Sequence, residues 1–337
     1  MSTAPDVAAD IVTLDEIRDA AELLRGVAVR TPLLRFPTAG ADAWLKPESL
    51  QPVGAFKIRG AYVAIARLPD EIRRRGVVAH SSGNHAQGVA RAARLLGVPA
   101  IVVMPEDAPR LKVERTRADG AEVIFCGPAP DERVEIAHRI ADERGLGLIP
   151  SYDHRDVIAG QATVGLEIAE DAPQGPLTVF VPVSGGGLAA GVATALKALR
   201  DQVRVVGVEP ELAADAAESL HEGRIVRWDA ELTVRTMADG LRVNALGRIP
   251  FVHLRAYLDE VVTVSEAEIA DAMRTLAGDV RLVAEPSGAV APAALLRERP
   301  AGTSVAVLSG GNVDPALYAA ILAGASPGTE ASPARAT

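Results

Sequence analysis

Lys57 stands in a stretch whose residue types could support the chemistry of an amine. Phe56 precedes it, and Ile58-Arg59-Gly60-Ala61 follows as the first turn of a predicted helix. Pro52 and Gly54 indicate a tight loop on the approach. A lysine half-buried at such a position loses part of its preference for the charged form, because burial disfavours charge. A neutral amine in an apolar pocket is what Schiff-base chemistry requires, although a surface lysine at a helix start would have the same local sequence.

A second polar segment, Ser81-Ser-Gly-Asn-His85, follows a predicted strand over Val77–His80 and runs directly into a predicted helix. Two hydroxyl groups and the free backbone N–H groups of a helix N-terminus can bind a carboxylate or a phosphate. A plain helix cap by Ser82 or Asn84 would need only one such residue, so the five consecutive polar or glycine residues favour a binding site. His85 and the other histidines show no ligand spacing, and a zinc site is therefore not indicated.

A glycine-rich segment, Ser184-Gly-Gly-Gly-Leu188, lies between a predicted strand at 177–183 and the next predicted helix. Gly185, Gly186 and Gly187 carry no side chains that would block an approaching ligand. The backbone N–H groups of such a loop can therefore surround a phosphate. We expect this segment to hold one phosphate group.

The same glycines permit a different interpretation. Gly185, Gly187 and Gly191 approximate a dinucleotide fingerprint, and Glu209 closes the next strand as a ribose-binding acid would. The third glycine comes one residue late, however, and a nicotinamide cofactor gives no role to Lys57. This alternative predicts a colourless protein that requires added nicotinamide cofactor.

Two further turns, Ser309-Gly-Gly-Asn312 and Glu285-Pro-Ser-Gly288, follow predicted strands. Ser309 could donate a hydrogen bond to a ring nitrogen or merely begin a turn, and the Glu285 segment is similarly ambiguous. Together, the loops supply an amine, a phosphate cradle, a carboxylate site and a hydroxyl for a ring nitrogen. Pyridoxal phosphate, with one aldehyde, one phosphate and a pyridine ring, needs that set of groups.

The elements that would position these loops alternate between strand and helix in two blocks. Strands this apolar, alternating with helices, indicate parallel sheets covered on both faces. The sequence therefore predicts an α/β protein with two open, mostly parallel twisted sheets and helices on both faces. The predicted strands lie at 43–46, 77–80, 99–104, 122–126, 147–150, 177–183, 203–208, 260–264, 281–284 and 304–308.

We expect the two blocks to correspond to two domains. Residues 1–76 and 152–324 would form a large cofactor-binding domain, and residues 77–151 a small domain. Residues 325–337 are rich in proline, serine, threonine and alanine without periodicity, and we expect a disordered tail there.

Composition bounds the class of protein. Of the 337 residues, 48% are hydrophobic and 23% charged, which is typical of a soluble globular protein with a sizeable core. The net charge of −9 argues against nucleic acid or an anionic membrane as a partner. A single cysteine, Cys126, excludes an internal disulfide. The start shows no signal peptide, and no apolar run reaches the ~18 residues of a membrane helix, so we expect a cytoplasmic protein.

From about Thr31 to Leu322 the chain resembles the fold-type II pyridoxal-phosphate enzymes, whose fold is like that of the tryptophan synthase β subunit. More narrowly, it is similar to the group of serine/threonine dehydratases (threonine ammonia-lyases) and serine racemases. The chain departs from the pattern of this group at two positions: Ala55 replaces the usual serine, and Ser184 replaces the first glycine of the usual four. The motifs that carry the resemblance are Gly54-Ala-Phe-Lys-Ile-Arg-Gly-Ala61, His80-Ser-Ser-Gly-Asn-His85, Ser184-Gly-Gly-Gly-Leu188, Met237-Ala-Asp-Gly240, Glu285-Pro-Ser-Gly-Ala289 and Ser309-Gly-Gly-Asn-Val313.

The resemblance implies a role for each motif. It implies that Lys57 holds the cofactor and is the catalytic base, while Ser82 is the acid on the opposite face in the racemases. The remaining cofactor-binding residues would be Phe56 and Gly240 beside the ring, Asn84 at the ring hydroxyl, Ser184, Gly185, Gly186, Gly187 and Leu188 at the phosphate, Ser309 at the pyridine nitrogen, and Glu285. Ser81, Ser82 and His85 would bind the substrate carboxylate.

The activity implied is β-elimination from L-threonine or L-serine, giving a 2-keto acid and ammonia. Serine racemisation and dehydration of 3-hydroxyaspartate on the same site are the alternatives. A catalytically inactive binding protein on this scaffold is a remote one. The resemblance further implies a homodimer or homotetramer, and no regulatory module is expected after the catalytic region.

The segment Glu209-Pro-Glu-Leu-Ala-Ala-Asp215 resembles the cation site of the same group. There, Glu209, the Ala213 carbonyl and Asp215 would bind Mg²⁺, Mn²⁺ or Ca²⁺ through oxygen. A solvated acidic loop would have the same composition.

Overall fold

A computed structural model describes residues 11–81, 83–127 and 130–324, and the predicted tail at 325–337 lies outside them. The strands of this described part are β1 (Leu34–Arg35), β2 (Ala43–Pro47), β3 (Val77–His80), β4 (Ala100–Pro105), β5 (Glu122–Cys126), β6 (Gly147–Leu148), β7 (Leu177–Pro182), β8 (Val203–Pro210), β9 (Glu260–Val264) and β10 (Thr303–Leu308). The α-helices are α1 (Leu14–Leu23), α2 (Lys57–Ala66), α3 (Asp70–Arg75), α4 (Asn84–Leu96), α5 (Arg110–Ala118), α6 (Pro130–Arg144), α7 (Arg155–Asp171), α8 (Gly187–Leu199), α9 (Asp215–Glu222), α10 (Ala230–Thr233), α11 (Arg248–Tyr257), α12 (Glu266–Asp279), α13 (Pro286–Glu298) and α14 (Pro315–Leu322).

The larger sheet has six strands in the order β1-β2-β10-β7-β8-β9. The short strand β1 runs antiparallel to β2, and all the other neighbours are parallel. Val305 in the centre of β10 pairs with Trp44 on one side and with Val179 on the other. Since side chains alternate along a strand, Val305 and Val307 enter one hydrophobic cluster while Ala306 enters the cluster on the opposite face.

The smaller sheet has four parallel strands in the order β5-β4-β3-β6. Val77 of β3 packs into one cluster and Val78 into the other, so this sheet also has two covered faces. The predicted fold class, two mostly parallel sheets with helices on both faces, is confirmed. The division into domains at 76/77 and 151/152 stays a prediction.

Local sequence explains where several helices begin. Thr13 and Glu16 form a capping box at the start of α1, in which each side chain accepts from the backbone of the other residue. Ser265 and Glu268 make the same arrangement at α12. Helix α2 begins at Lys57, as predicted. Capping sequences thus fix the starts of α1 and α12.

The longest described helix, α7, has 17 residues and crosses α2 closely. A Cβ atom on Gly160 would come within 2.6 Å of the Gly60 Cα, so two glycines allow this approach. Within the part of the chain that the structure describes, no helix has both the length and the hydropathy that crossing a bilayer would require.

One predicted strand is wrong. Residues 281–284 form no strand, because Arg281 has a φ of 58° in the left-handed region, which interrupts an extended run. The next N–H, of Leu282, donates to the Leu276 carbonyl at 3.0 Å, which folds the segment back on α12. Helices α3, α9, α10 and α11 were not predicted, since their stretches lie outside the strand–helix alternation on which the prediction depended.

Candidate active site

A cavity of about 540 Å³ lies where the loops after β3, β7 and β10 approach the start of α2. The carboxyl ends of parallel strands are the usual position for a ligand in open sheets. The predicted site residues that line this cavity are Phe56, Lys57, Ser81, Asn84, His85, Ser184, Gly185, Gly186, Gly187, Leu188, Gly240, Glu285 and Ser309. Segments more than 250 residues apart in the sequence therefore meet around one cavity.

Lys57 projects its amine into this cavity from the first position of α2. Its Nζ donates to the Ser151 carbonyl at 2.9 Å and lies 5.1 Å from the centre of the Phe56 ring. Burial lowers the pKa of Lys57 to about 8. Helix α4 packs directly on it, since a Cβ atom on Gly88 would lie 3.1 Å from the Lys57 carbonyl. Lys57 is thus a half-buried amine with an increased neutral fraction, as the sequence predicted.

The loop before α4 brings two of its predicted residues into defined contacts. Asn84 donates through Nδ2 to Glu285 at 2.5 Å and accepts at Oδ1 from Asn312 at 2.8 Å. The Ser81 hydroxyl accepts from the Gly83 N–H at 3.1 Å. Ser82 lies outside the described residues.

His85 is buried, and its Nε2 lies 2.9 Å from the Ile149 carbonyl. A carbonyl only accepts, so Nε2 carries the proton. Burial, together with the charge of Lys57, lowers the pKa of His85 to about 3 and keeps the ring neutral. Nδ1 then has no proton to donate to a substrate carboxylate. The predicted direct contact therefore does not fit this geometry, and His85 is better suited to positioning its loop.

The glycine segment needs all three of its glycines. A Cβ atom would lie 2.4 Å from the Tyr152 ring at Gly185, 2.7 Å from the Pro250 Cβ at Gly186, and 3.0 Å from the Tyr152 Cα at Gly187. Gly186 also has a φ of 92°. Helix α8 starts here, and its first N–H groups lack partners within the helix. The arrangement is a backbone cradle suited to an anion.

A group of polar residues faces the cradle from the other side of the cavity. The Gly240 N–H donates to the Ser287 hydroxyl at 2.8 Å, and the Ser309 hydroxyl lies 3.4 Å from the Ser287 carbonyl. Glu285 is 1% exposed, and burial, with the nearby charge of Asp239, raises its pKa to about 7. These groups lie within one cavity with Lys57, as predicted.

Two buried atoms of the cavity lack hydrogen-bond partners among the described residues: Glu285 Oε2 and His85 Nδ1. Buried polar atoms normally have partners, so a polar molecule bound in the cavity would complete the hydrogen bonding. The glycine cradle can bind an anion, and the Lys57 amine can react with a carbonyl carbon. The residues present therefore fit pyridoxal phosphate.

The predicted cation ligands lie elsewhere. Glu209 at the end of β8 is buried and accepts from the N–H groups of Ala216 and Ala217, at 3.2 and 2.8 Å. Both carboxylate oxygens of Asp215 are buried without a hydrogen-bond partner in the described chain, and burial raises the pKa of Asp215 to about 7. Ala213 is also buried. In the described segments, no group of three or more His, Cys, Asp or Glu side chains has a metal-site arrangement.

Comparison with known proteins gives a match to one family over most of the chain. The model of the pyridoxal-phosphate dependent enzymes (PALP) matches residues 24–310. The chain belongs to this family. It is 45% identical over 310 residues to an L-threonine ammonia-lyase of Thermotoga maritima, covering 90% of this chain and 76% of that one. An L-threo-3-hydroxyaspartate ammonia-lyase of Pseudomonas sp is 43% identical, covering 92% and 98%.

A solved structure shows the same similarity in three dimensions. The structure of maize serine racemase superposes with a TM-score of 0.85 at 37% identity, covering 91% of this chain and 95% of that one. Pyridoxal phosphate is the cofactor of this PALP family member, so the alternative of a nicotinamide cofactor is wrong.

Several residues that line the cavity of this PALP enzyme were not predicted from its sequence. Lys112 on α5 donates to Asp239 at 2.6 Å, and Tyr152 covers Gly185. Arg133 on α6 and Arg227 also line the cavity. Asp239 belongs to the motif Met237-Ala-Asp-Gly240, of which only Gly240 was assigned a role. No local sequence pattern indicates the other four residues.

Proposed function

We propose that this chain catalyses β-elimination from a hydroxy amino acid, L-threonine or L-serine, to give a 2-keto acid and ammonia. The observation that carries the proposal is the half-buried Lys57 amine, which shares one cavity with the glycine cradle at Ser184–Leu188. The similarity to an L-threonine ammonia-lyase over 90% of the chain supports it.

The predicted cofactor- and substrate-binding residues other than His85 receive a role in this proposal. Bound pyridoxal phosphate would supply an aldehyde for amines and a ring that withdraws electrons from the substrate Cα. Lys57 would hold the cofactor and then, as a neutral amine, take the Cα proton. The Ser309 hydroxyl would face the ring nitrogen without charging it, which favours early loss of the β-hydroxyl. The other proposed cofactor contacts are Phe56, Asn84, Ser184, Gly185, Gly186, Gly187, Leu188, Gly240 and Glu285, with Ser81 and Ser82 at the substrate carboxylate.

An assay of keto-acid release tests this activity across L-threonine, L-serine and L-threo-3-hydroxyaspartate. We expect turnover of at least one of them in the presence of pyridoxal phosphate. Absence of keto acid from all three, in a protein that binds the cofactor, would contradict the proposal.

Serine racemisation is the second candidate, since Ser82 would stand as an acid on the face opposite Lys57. The structural similarity to maize serine racemase supports this second activity. Chiral chromatography of the serine that remains after partial turnover separates the two activities. If only the starting enantiomer is found, racemisation is eliminated.

Dehydration of 3-hydroxyaspartate is favoured by one specific observation. Arg133 lines the cavity and forms no hydrogen bond or ion pair with another residue of the described chain. A second substrate carboxylate would give this guanidinium a partner. We expect Arg133→Met to lower kcat/KM for L-threo-3-hydroxyaspartate about 10- to 100-fold, the range of one charge-assisted hydrogen bond, and to affect L-threonine far less.

The same helix provides the control for this variant. Arg139 lies on α6, is exposed and does not line the cavity. Arg139→Met should leave the ratio of the two kcat/KM values unchanged. Equal losses for both substrates in Arg133→Met would count against the acidic substrate.

We further propose that Glu209, the Ala213 carbonyl and Asp215 bind Mg²⁺, Mn²⁺ or Ca²⁺. Two buried carboxylates close together are stabilised by a cation, and Asp215 has both oxygens free of other partners in the described chain. Chelation should lower the melting temperature by about 4 °C if the cation is present at about 100 times its dissociation constant. Asp215→Asn should remove this response. Unchanged melting temperature and rate after chelation would exclude the site.

Three broader predictions belong with the proposed enzyme. We infer a homodimer or homotetramer, a cytoplasmic location, and the division into a large domain of residues 1–76 and 152–324 and a small domain of residues 77–151. The substrate is a small amino acid, and neither nucleic acid nor membrane is expected as a partner. Light scattering of the purified protein tests the assembly.

A further inference from the structure

Four charged side chains are buried together at the side of α2. Lys46 and Glu48 are both 0% exposed, Arg59 is 1% exposed and Glu167 is 9% exposed. They come from β2, the turn that follows it, α2 and α7, and we call them the buried charge cluster. Two cations and two carboxylates give the cluster no net charge.

The Arg59 guanidinium connects the cluster. It donates to both carboxylate oxygens of Glu48, at 2.7 and 2.9 Å, and to both of Glu167, at 2.6 and 3.0 Å. The Lys46 amine donates to Glu167 at 2.6 Å, and the Thr31 hydroxyl donates to Glu48 at 2.8 Å. All four carboxylate oxygens are therefore engaged, and the charges compensate one another locally.

Stability alone is a weak explanation for such a cluster, because well-packed apolar residues of similar volume often serve equally well. Its position offers a better one. Arg59 follows Lys57 by two residues in α2, so the two side chains leave the helix on nearly opposite sides. The contacts of Arg59 with Glu48 and Glu167 therefore hold the first turn of α2, which carries Lys57, against α7.

The net charge of the buried charge cluster also affects the pKa of the Lys57 amine. A helix is about 10 Å across, so an uncompensated charge on the Arg59 side would act on the Lys57 amine over roughly that distance. At an effective dielectric constant of about 20, one unit charge would shift the pKa of the amine by about one unit. In the intact protein, burial is the cause that lowers the pKa of Lys57 to about 8.

We propose that the buried charge cluster positions Lys57 and, because its charges cancel, leaves the amine free to lose its proton. Arg59 is thus a positioning residue that acts through α2. This inference rests on the proposed role of Lys57 as the cofactor-binding amine. Its test does not require turnover, so its failure would leave the proposed activity standing.

The other ionisable groups around the cavity must stay the same during the test. They line the same cavity as Lys57, and none of them is altered in the variants below. They are His80, His85, Lys112, Arg133, Tyr152, Asp153, Arg227, Asp239, Arg242 and Glu285.

The experiment follows the Lys57 amine directly in cofactor-free protein. The sequence contains only four lysines, so reductive methylation with ¹³C-formaldehyde gives few NMR signals, and Lys57→Gln assigns the one of interest. We expect Arg59→Met to raise the pKa of Lys57 by about one unit, because it leaves a net negative cluster. Glu48→Gln should lower this pKa by a similar amount.

Two further variants separate charge from packing. Arg59→Lys keeps the charge but loses the paired hydrogen bonds, and Arg59→Met combined with Glu48→Gln restores neutrality. Both should titrate at the wild-type pKa even where their melting temperatures fall. If Arg59→Met does not fold, Lys46→Met also makes the cluster net negative and should raise the pKa. Equal pKa values in all variants, or shifts that follow melting temperature instead of net charge, would overturn the proposal.

Discussion

Lys57→Ala is expected to abolish both turnover and the visible absorbance of the bound cofactor. The substitution removes the amine that would hold the cofactor and the base that would take the Cα proton, so the rate should fall by at least ~10⁴-fold. The cavity also contains Lys112, but its amine is engaged by Asp239 at 2.6 Å. Keto-acid release and the absorbance spectrum of the purified protein measure the two effects. Retained activity in Lys57→Ala would overturn the proposed site.

The scarcity of lysine makes the covalent test unusually direct. The 337 residues include only Lys46, Lys57, Lys112 and Lys197. Borohydride treatment of the loaded protein should fix the cofactor on one peptide, the one that contains Lys57, and mass spectrometry identifies it. Lys112→Ala is the matched control from the same cavity and should still form the reduced adduct. An adduct on any other lysine would contradict the assignment.

The fold could be predicted largely from sequence because its strands are short, apolar and separated by helices with clear ends. The strand prediction at Val77–His80 agrees with the structure at both ends, and the predicted helix follows it as α4. The segment 281–284 shows the limit of this approach. Its apolar residues suit a strand, but the left-handed conformation of Arg281 follows from contacts with α12 that no local pattern reveals.

In the candidate site, too, local sequence patterns predict some residues, whereas other contacts depend on segments that are far apart in the sequence. Glycine, proline and hydroxyl residues mark the loops at strand ends and helix starts in the sequence. Lys57 and the segment Ser184–Leu188 could therefore be predicted from the sequence alone. The pairing of Asn84 with Glu285 joins residues 201 positions apart, and that of Arg59 with Glu167 joins residues 108 apart. Such pairs depend on how the elements pack. His85 is the clearest case, since its contact with the Ile149 carbonyl determines which ring nitrogen carries the proton.

Gly186→Ala should weaken the binding of pyridoxal phosphate by about 10- to 100-fold, as expected if one hydrogen bond to the charged phosphate is lost. A Cβ atom there would lie 2.7 Å from the Pro250 Cβ, and the φ of 92° is one that alanine rarely adopts. The loop must therefore shift, and its N–H groups would no longer point at the phosphate together. Titration of the cofactor-free protein with pyridoxal phosphate measures the affinity.

Gly302→Ala separates this local effect from general backbone strain. Gly302 has a similar φ of 85°, has no atom within 4 Å of an added Cβ, and does not line the cavity. Both variants should lose about 1 kcal/mol of stability to alanine in the left-handed region, and Gly186→Ala should lose more because of its contact with Pro250. Only Gly186→Ala should lose affinity for the cofactor. If the two variants bound pyridoxal phosphate equally well, the glycine segment would not be the phosphate cradle, because a phosphate held by these N–H groups must respond to their displacement.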